Sequence, residues 1–425
     1  MVIHIVQPGD SLYRIARMHG VPLPLLIGQN ELAEPYRLTP GQALVVPQPT
    51  AVYTVHRGDT LRSIAAQAGT TVLHLLQNNP QLGGSDRIWP GQTLVLSYGR
   101  KLGTFAVNGY AYPNIDPRVL RKTLPYLTYL SVFSFGFDSR GQLMPQDTAL
   151  LTRMARQYGA RPLLVLTTLG EDGRFSGERA HILLQSPAMQ QTLLDSLAQT
   201  IETQGFAGVD IDFEYIPPAD AAAYADFVAA VRARLAPSGA TVLVALAPKT
   251  AADQPGLLYE AHDYRALGAA ADGALLMTYE WGYAYSAPMA VAPLDKVAQV
   301  VRYAVSEVAP EKLLLGMPNY GYDWTLPYVR DQSRARTLGN VQAVEQAIQV
   351  GAPIRFDEQA QSPHYNYWRD RAEHEVWFED ARSVRAKLAL AGEYRLHGVS
   401  VWNIMRYFPQ LWSVLNQLYD IEKQG

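Results

Sequence analysis

Gly208-Val-Asp-Ile-Asp-Phe-Glu214 alternates apolar and acidic side chains along its length. Successive side chains of a β-strand point to opposite faces, so the carboxyl groups of Asp210, Asp212 and Glu214 share one face. A strand of a closed barrel turns one face to the surrounding helices and the other to the interior. This stretch therefore predicts a barrel strand whose three carboxyl groups line the interior and rise toward the mouth.

Short apolar runs on either side of this stretch alternate with amphipathic helical segments from Thr104 to Trp402. This alternation indicates βα units and a parallel sheet. Eight such units predict an α/β fold of the TIM (β/α)8 barrel type, in which reacting groups lie at the carboxyl ends of the strands. The predicted strands are 104–108, 129–135, 162–167, 208–214, 242–246, 273–279, 312–317 and 398–402.

A long span, 323–397, separates the seventh predicted strand from the eighth. It contains several aromatic residues and a pattern that predicts a helix over 381–391. We expect this insertion to form part of one wall of a cleft above the barrel.

The three acidic side chains of the fourth strand cannot all ionise easily when they are close together. Their mutual repulsion raises the pKa of at least one carboxyl group. A proton can then remain on Glu214 at neutral pH and be delivered to a glycosidic oxygen. A metal site is an alternative, but the sequence places no obvious histidine cluster beside these carboxylates, so we predict neither a metal nor a cofactor.

The first hundred residues contain a repeat with a period near 49 residues. Residues 4–12 match 53–61, and 38–46 match 88–96. In each copy a strand leads to a Gly-Asp-Ser/Thr turn, two short helices and a closing strand, and the serine or threonine is placed to cap the first helix. The predicted domains are two β-α-α-β modules at 1–48 and 52–98, followed by a barrel at 103–425. A short stiff linker is expected at 47–51, and 97–103 joins the second module to the barrel.

The two repeats resemble the LysM module, which binds glycans that contain N-acetylglucosamine. The resemblance implies a shallow sugar groove between the Gly-Asp-Ser/Thr loop and the loop after the second helix. An alternative is that these residues serve only the turns and helix caps. The residues implied to lie near the glycan are Gly9, Asp10, Ser11 and Leu12 in the first module and Gly58, Asp59, Thr60 and Leu61 in the second.

The acidic strand resembles the signature of family 18 glycoside hydrolases, usually Asp-Gly-x-Asp-x-Asp-x-Glu on the fourth strand of a TIM barrel. Two departures stand beside it: Ala207 occupies the first acidic position, and 167–169 reads Thr-Thr-Leu where many chitinases have Ser-x-Gly-Gly. The terminal glutamate, which lectin relatives typically lack, is present as Glu214. The resemblance therefore implies an active enzyme that differs from ordinary chitinases.

Family 18 enzymes retain the anomeric configuration because the substrate's own acetamido group assists the reaction. The resemblance implies that Glu214 protonates the leaving oxygen and later activates water. It implies that Asp212 orients the acetamido N–H, that Asp210 shares a proton with Asp212, and that Tyr279 hydrogen-bonds the acetamido oxygen. Trp402 matches the floor beneath the distorted sugar, and Glu280 replaces the commoner aspartate. The expected substrate-binding residues are Tyr110, Met277, Glu280, Trp281, Asn319, Tyr320 and Trp402.

Composition restricts the partners of the chain. With 36 Lys and Arg against 39 Asp and Glu, the formal net charge is −3, so nucleic acid is not expected as a partner. There are no cysteines, which excludes disulfides and thiolate metal sites. The 25 tyrosines suit stacking on sugar faces. No apolar stretch is long enough to predict a membrane span, and the N-terminus does not resemble a standard signal peptide.

Three short motifs near the strand ends, together with the paired modules, resemble the spore-cortex-lytic N-acetylglucosaminidases of endospore formers. The motifs begin at Met277, Pro318 and Val376. The resemblance implies a peptidoglycan substrate, a spore-coat or cell-wall location without a standard signal peptide, and a chain expected to be monomeric. Two alternatives remain open: a chitinase, and a non-catalytic glycan-binding protein of the spore coat.

Overall fold

Each N-terminal repeat folds as two helices packed on a two-stranded antiparallel sheet, which confirms the predicted β-α-α-β unit. The computed structural model of the chain describes residues 1–170 and 173–423. The elements are β1 (Val2–Ile5), α1 (Leu12–His19), α2 (Leu23–Asn30) and β2 (Ala43–Val46) in the first module, and β3 (Pro49–Thr54), α3 (Leu61–Gln67), α4 (Val72–Asn78) and β4 (Thr93–Tyr98) in the second.

The equivalent residues of the two modules form equivalent hydrogen bonds. Ser11 caps α1 and Thr60 caps α3 by accepting a backbone N–H of the first turn, as predicted. The side chain of Asn30 donates to Leu26 O and Val45 O, and Asn79 bonds the second module in the same way. These buried amides join the end of each second helix to the closing strand.

In the part of the chain that the structure describes, eight parallel strands close into a barrel through the pairing of the last of them with the first. A short additional strand extends the sheet at its N-terminal strand. In chain order, the strands after the modules are β5 (Gly103–Ala111), β6 (Tyr129–Phe135), β7 (Arg161–Thr167), β8 (Gly208–Asp212), β9 (Thr241–Leu246), β10 (Gly273–Leu276), β11 (Leu313–Pro318), β12 (Gly321–Thr325), β13 (Arg336–Leu338), β14 (Arg355–Asp357), β15 (Ser362–Arg369), β16 (Ala372–Trp377), β17 (Gly398–Trp402) and β18 (Tyr419–Ile421).

Helices surround the barrel, and a separate antiparallel sheet is inserted before its last βα unit. Strands β12 to β16 form this five-stranded sheet, so the long insertion folds as a layer of its own. The helices are α5 (Pro117–Thr123), α6 (Ala149–Gln157), α7 (Gly177–Leu184), α8 (Pro187–Gln204), α9 (Ala221–Leu235), α10 (Tyr264–Ala270), α11 (Leu294–Glu307), α12 (Asn340–Val350), α13 (Ala381–Glu393) and α14 (Pro409–Leu418).

Strand β8 has the two faces that its alternation predicts. Phe213, just beyond the strand, is fully buried and stacks on Tyr224 and Phe227 of α9, with ring centroids 5.6 and 5.7 Å apart. The acidic residues point to the opposite side, where burial of Asp210 is also complete. The packing of the apolar face on α9 therefore forces the carboxyl groups into the barrel.

Two predicted strands are longer than the strands observed. Strand β8 ends at Asp212 rather than at residue 214, and β10 ends at Leu276 rather than at residue 279. After Leu276 the backbone turns sharply, because Thr278 N donates to Leu276 O and Tyr279 N donates to Met277 O. The residues beyond each strand are thus free to turn their side chains into the mouth of the barrel.

The second module is docked on the barrel and does not hang from a linker. The predicted linker at 47–51 is largely strand, because β3 begins at Pro49. Gln77 donates to Pro125 O at 2.8 Å, and Tyr126 Oη donates to Gln77 O at 2.9 Å. Asn416 of α14 donates to Asn78 Oδ1 at 2.9 Å. Buried polar contacts, which the sequence did not predict, therefore seat this module against the barrel.

The first module is held on three sides. Gln29 donates to Asn78 O of the second module at 2.9 Å and accepts from Ser413 of α14 at 2.7 Å. Gln410 donates to Ala43 O at 2.7 Å. Ile354 N of the inserted layer donates to Pro40 O at 2.9 Å. This module thus contacts the other module, the barrel helices and the inserted sheet.

Gln77→Ala is expected to lower the free energy of unfolding by about 1–3 kcal/mol, because it leaves Pro125 O buried without its donor. Chemical denaturation of the full chain measures this loss. Gln67→Ala, on the exposed side of α3, is the control and should change stability by about 0.5 kcal/mol or less. Equal stability of the two variants would contradict the docked arrangement.

None of the helices in the described ranges has both the length and the apolar character that crossing a membrane requires.

Candidate active site

A cavity of about 510 Å³ opens at the carboxyl ends of the barrel strands. This is the end of a TIM barrel at which reacting groups are expected. Its lining combines acidic and aromatic side chains from five strand ends, and it brings together most of the residues predicted for the site. The predicted residues that line it are Tyr110, Asp212, Glu214, Met277, Tyr279, Glu280 and Trp402.

Asp210 lies below this cavity, in the barrel interior. Its Oδ2 accepts hydrogen bonds from Tyr110 Oη at 2.6 Å and from Ser131 Oγ at 2.9 Å. Burial raises the pKa of Asp210 to about 6, although the two hydrogen bonds favour the ionised form and oppose this rise. Ser131 Oγ also lies 3.0 Å from Asn108 Oδ1. Asp210 is therefore held in one orientation by donors from β5 and β6.

Ser131 and Asn108 were missed by sequence reasoning. Both are polar residues within apolar strands, and this is the signal that could have identified them, because a buried polar side chain needs a hydrogen-bond partner.

Asp212 and Glu214 are close enough to affect each other's ionisation. Burial first, and then the charges of Glu214 and Asp210, raise the pKa of Asp212 well above its ordinary value. Burial raises the pKa of Glu214 to about 7, with a further contribution from the charge of Glu280. Asp212 Oδ1 is buried and has no hydrogen-bond partner among the described residues. The pair can therefore hold a proton near neutral pH and still offer a free acceptor.

Glu280 occupies a strained position beside this pair. Its φ of 67° lies in the left-handed region, which non-glycine residues adopt rarely. Tyr320 Oη donates to its carboxylate, and Tyr322 Oη donates to Oε1 at 3.0 Å. Burial raises the pKa of Glu280, and the two tyrosine hydroxyls oppose that rise. Tyr322 and Thr337 are paired in the inserted sheet and line a cavity together with Glu280. Thr337 lies within the predicted span 323–397, which confirms that the insertion contributes to a cleft wall.

Aromatic side chains surround Trp402 at the end of β17. Tyr110, Phe133 and Tyr112 approach its ring edge to face, with centroid distances of 5.3, 4.9 and 6.3 Å. Phe133 and Tyr112, which sequence reasoning did not select, line the same cavity. Tyr279 is half-buried beside the acidic residues, and desolvation together with their charges raises its pKa well above the ordinary value. The cavity thus has apolar ring faces next to hydrogen-bonding groups, a combination suited to sugars.

A second cavity of about 430 Å³ adjoins the first, since Tyr112, Glu280 and Trp402 line both. Asn319 and Tyr320, both predicted to bind substrate, lie here. The side-chain amide of Asn319 is already used, because it donates to Asn403 O at 2.9 Å and to Arg406 O at 2.8 Å. Asn319 therefore shapes this part of the cleft by holding the loop that follows β17.

Trp281 is the predicted binding residue that the structure keeps outside the two cavities. Its ring is half-buried against the main apolar cluster, and its backbone N–H donates to Val291 O at 3.1 Å. The indole is not part of the lining of either cavity.

The Gly-Asp-Ser/Thr loops of the modules are mostly open to solvent, but their residues differ in exposure. Leu12 and Leu61 are buried in the module cores. Asp10 and Asp59 accept backbone N–H groups of their own turns at 2.8 and 2.7 Å. The remaining predicted residues, which are exposed, are Gly9, Ser11, Gly58 and Thr60.

No group of three or more His, Cys, Asp or Glu side chains arranged to hold a metal ion is found within residues 1–170 and 173–423.

A TIM barrel whose cleft combines buried carboxyl groups of raised pKa with an aromatic platform defines a glycoside hydrolase. The chain belongs to the glycosyl hydrolases family 18, whose family model matches residues 113–406. The LysM domain model matches residues 4–47 and 53–97, so both modules are LysM domains.

The chain is similar along its whole length to spore proteins of Bacillus. It is 36% identical to the cortical fragment-lytic enzyme of Bacillus anthracis over 428 residues, covering 99% of each protein. The crystal structure of the Bacillus cereus spore cortex-lytic enzyme SleL matches with a TM-score of 0.85 at 36% identity, covering 100% of this chain and 99% of that one. The Bacillus megaterium SleL structure matches with a TM-score of 0.84 at 34% identity and the same coverage.

Proposed function

We propose that this protein hydrolyses N-acetylglucosamine linkages in peptidoglycan, and specifically in spore cortex. The observation that carries the proposal is Glu214, an acid whose pKa of about 7 lets it hold a proton in a sugar-sized cleft of a family 18 barrel. Two LysM modules docked on the same barrel, and the cortex-lytic relatives that match the whole chain, support the choice of substrate.

The proposed reaction is substrate-assisted and retains the anomeric configuration. The substrate's acetamido oxygen attacks the anomeric carbon while Glu214 donates its proton to the leaving oxygen. Asp212 accepts the acetamido N–H and stabilises the positive charge of the oxazolinium intermediate, and its unpartnered Oδ1 supports this role. Tyr279 donates to the acetamido oxygen, and Asp210 shares a proton with Asp212. Glu214 then takes a proton from the water that opens the intermediate.

The proposed organisation is one LysM module at 1–48, a second at 52–98 and a catalytic barrel at 103–425. The exposed Gly-Asp-Ser/Thr loops bind glycan, and the docked modules hold their grooves at a constant position relative to the catalytic cleft. We place the protein at the spore coat or cell wall, and we propose that it acts as a monomer.

Mass spectrometry of the products released from purified cortex peptidoglycan tests the proposed function. The expected products carry N-acetylglucosamine at their new reducing ends. Turnover of chitin oligomers without turnover of cortex would favour the chitinase alternative. Binding to the wall without release of product would favour a non-catalytic coat protein.

Glu280→Gln is expected to move the alkaline limb of the pH–rate profile to lower pH. Glu214 must be protonated to act as an acid, so activity falls as the pH rises through its pKa of about 7. The charge of Glu280 contributes to that raised pKa, and its removal makes Glu214 lose its proton at lower pH. Profiles of kcat for wild type and variant measure the shift. Glu311→Gln, at an exposed glutamate, should leave the limb in place, and an unmoved limb in Glu280→Gln would contradict the coupling.

A further inference from the structure

The catalytic cleft is strongly biased toward acidic groups. Asp212, Glu214 and Glu280 line the first cavity, and Glu280 also lines the second. Among the described residues that line either cavity, Arg406 is the one Lys or Arg, and it lies in the second cavity. A substrate that carries a negative charge would be repelled by these carboxylates unless its charge faced this arginine.

The Arg406 side chain is exposed, and its guanidinium has no hydrogen bond or ion pair with any described residue. The neighbouring carboxylate of Glu280, by contrast, already accepts hydrogen bonds from Tyr320 and Tyr322. An arginine that binds substrate needs an unpaired guanidinium, because all five of its N–H donors are then available.

The backbone and the stem of Arg406 are nevertheless held in place. Asn319 Nδ2 donates to Arg406 O at 2.8 Å. The stem passes over Gly339, where an added Cβ would lie 2.9 Å from Arg406 Cδ, so the absence of a side chain at residue 339 makes room for it. The position of the guanidinium is therefore restricted although the group itself is unpaired.

We propose that Arg406 binds a carboxylate of the substrate, carried by the sugar next to the one over Trp402. The two cavities share Trp402, so a sugar in the second cavity is the direct neighbour of the sugar in the first. A planar guanidinium binds a carboxylate through two parallel hydrogen bonds, which an uncharged hydroxyl cannot reproduce. In peptidoglycan the neighbour of N-acetylglucosamine is muramic acid, whose lactyl group or attached peptide supplies the carboxylate. The assignment rests on the proposed function and specifies the substrate class of that site.

The test compares kcat/KM for three oligosaccharides of equal length. One alternates N-acetylglucosamine with peptide-free N-acetylmuramic acid, the second is the same compound with its lactyl carboxyl groups reduced to alcohols, and the third retains the peptides. In the wild type, the first is expected to be favoured over the second. In Arg406→Gln the ratio of the two kcat/KM values should fall about tenfold, and Arg406→Lys should retain part of it. If substitution of Arg406 lowers kcat/KM only for the third substrate, the carboxylate that Arg406 binds belongs to the peptide.

Salt dependence adds a readout that a purely structural role would not change. The wild-type preference for the carboxylate-bearing substrate should decrease as ionic strength rises, because salt screens an exposed charge pair. Arg330→Gln, at an exposed arginine outside both cavities, is the matched control and should leave the substrate ratio unchanged. Equal losses on all three substrates, or an unchanged ratio in Arg406→Gln, would overturn the assignment.

An affinity measurement separates this inference from the proposed reaction. Dissociation constants for the first two oligosaccharides are compared between Glu214→Gln and the double variant Glu214→Gln with Arg406→Gln. The modules are present in both proteins, so the difference reports on the cleft alone. If the double variant binds the carboxylate-bearing compound tenfold more weakly and the reduced compound equally well, the role of Arg406 is supported. This holds even if no product is released from any substrate, because the absence of product would contradict only the proposed hydrolysis.

Discussion

Glu214→Gln is expected to lower kcat on cortex peptidoglycan by about 10³-fold or more, because the amide has nearly the same shape but cannot donate a proton to the leaving oxygen. Glu214 lies in the cleft beyond the end of β8, and burial raises its pKa to about 7. The wild-type carboxyl group can therefore be protonated for the first step and ionised for the second at the same pH. The release of reducing ends over time measures the loss.

The first control measures whether Glu214→Gln still binds the cell wall through its LysM modules. Binding of Glu214→Gln to insoluble peptidoglycan should equal that of wild type, since the LysM loops are untouched. Glu393→Gln, at an exposed glutamate of α13, should retain full activity. Comparable release of reducing ends by Glu214→Gln and wild type would show that Glu214 is not the catalytic acid. It would contradict the proposed mechanism.

Asp212→Asn is the second change expected to cause a large loss, about 10²–10³-fold in kcat with a much smaller change in KM. The carboxylate is needed most when positive charge develops on the oxazolinium, so its removal costs more in the transition state than in the bound substrate. The buried and unpartnered Oδ1 of Asp212 supports an interaction made with substrate and not with the protein. Steady-state kinetics on soluble wall fragments separate the two parameters.

A higher KM at unchanged kcat would contradict this role and would make Asp212 a binding group only. Asp331→Asn, whose side chain is 93% exposed, is the matched control for the change from carboxylate to amide. Intact folding of Asp212→Asn can be checked by its thermal unfolding, because removing one of several mutually repelling buried charges should not destabilise the barrel.

Both LysM modules are docked on the barrel, so their positions relative to the catalytic cleft are fixed while the protein acts on a polymer. Short linkers alone would hold the cleft at high effective concentration near the glycan. Contacts such as Gln77 with Pro125, and Gln410 with Ala43, instead join both modules to the barrel. Because the first module also touches the inserted layer through Pro40 and Ile354, the modules and the cleft wall belong to one packed body.

Much of the site was predictable because its residues lie close together in sequence or at strand ends. The alternation around Asp212 predicts which face is acidic, and the repeat predicts the capped helices of both modules. Tyr279, Glu280 and Trp402 were assigned through the resemblance to family 18, and their approach to one cleft agrees with the parallel order of a barrel.

The sequence by itself determined the barrel, the two modules and the acidic strand, because each depends on local periodicity or on turns that repeat within a short stretch. Only the tertiary structure decided which distant side chains meet: Ser131 with Asp210, Tyr322 with Glu280, and the modules with α14. It also decided that Trp281 packs against the main apolar cluster and that Arg406 lines the cleft. Such pairings depend on how separate elements pack, and no local pattern encodes them, because periodicity specifies the face of an element but not its neighbour.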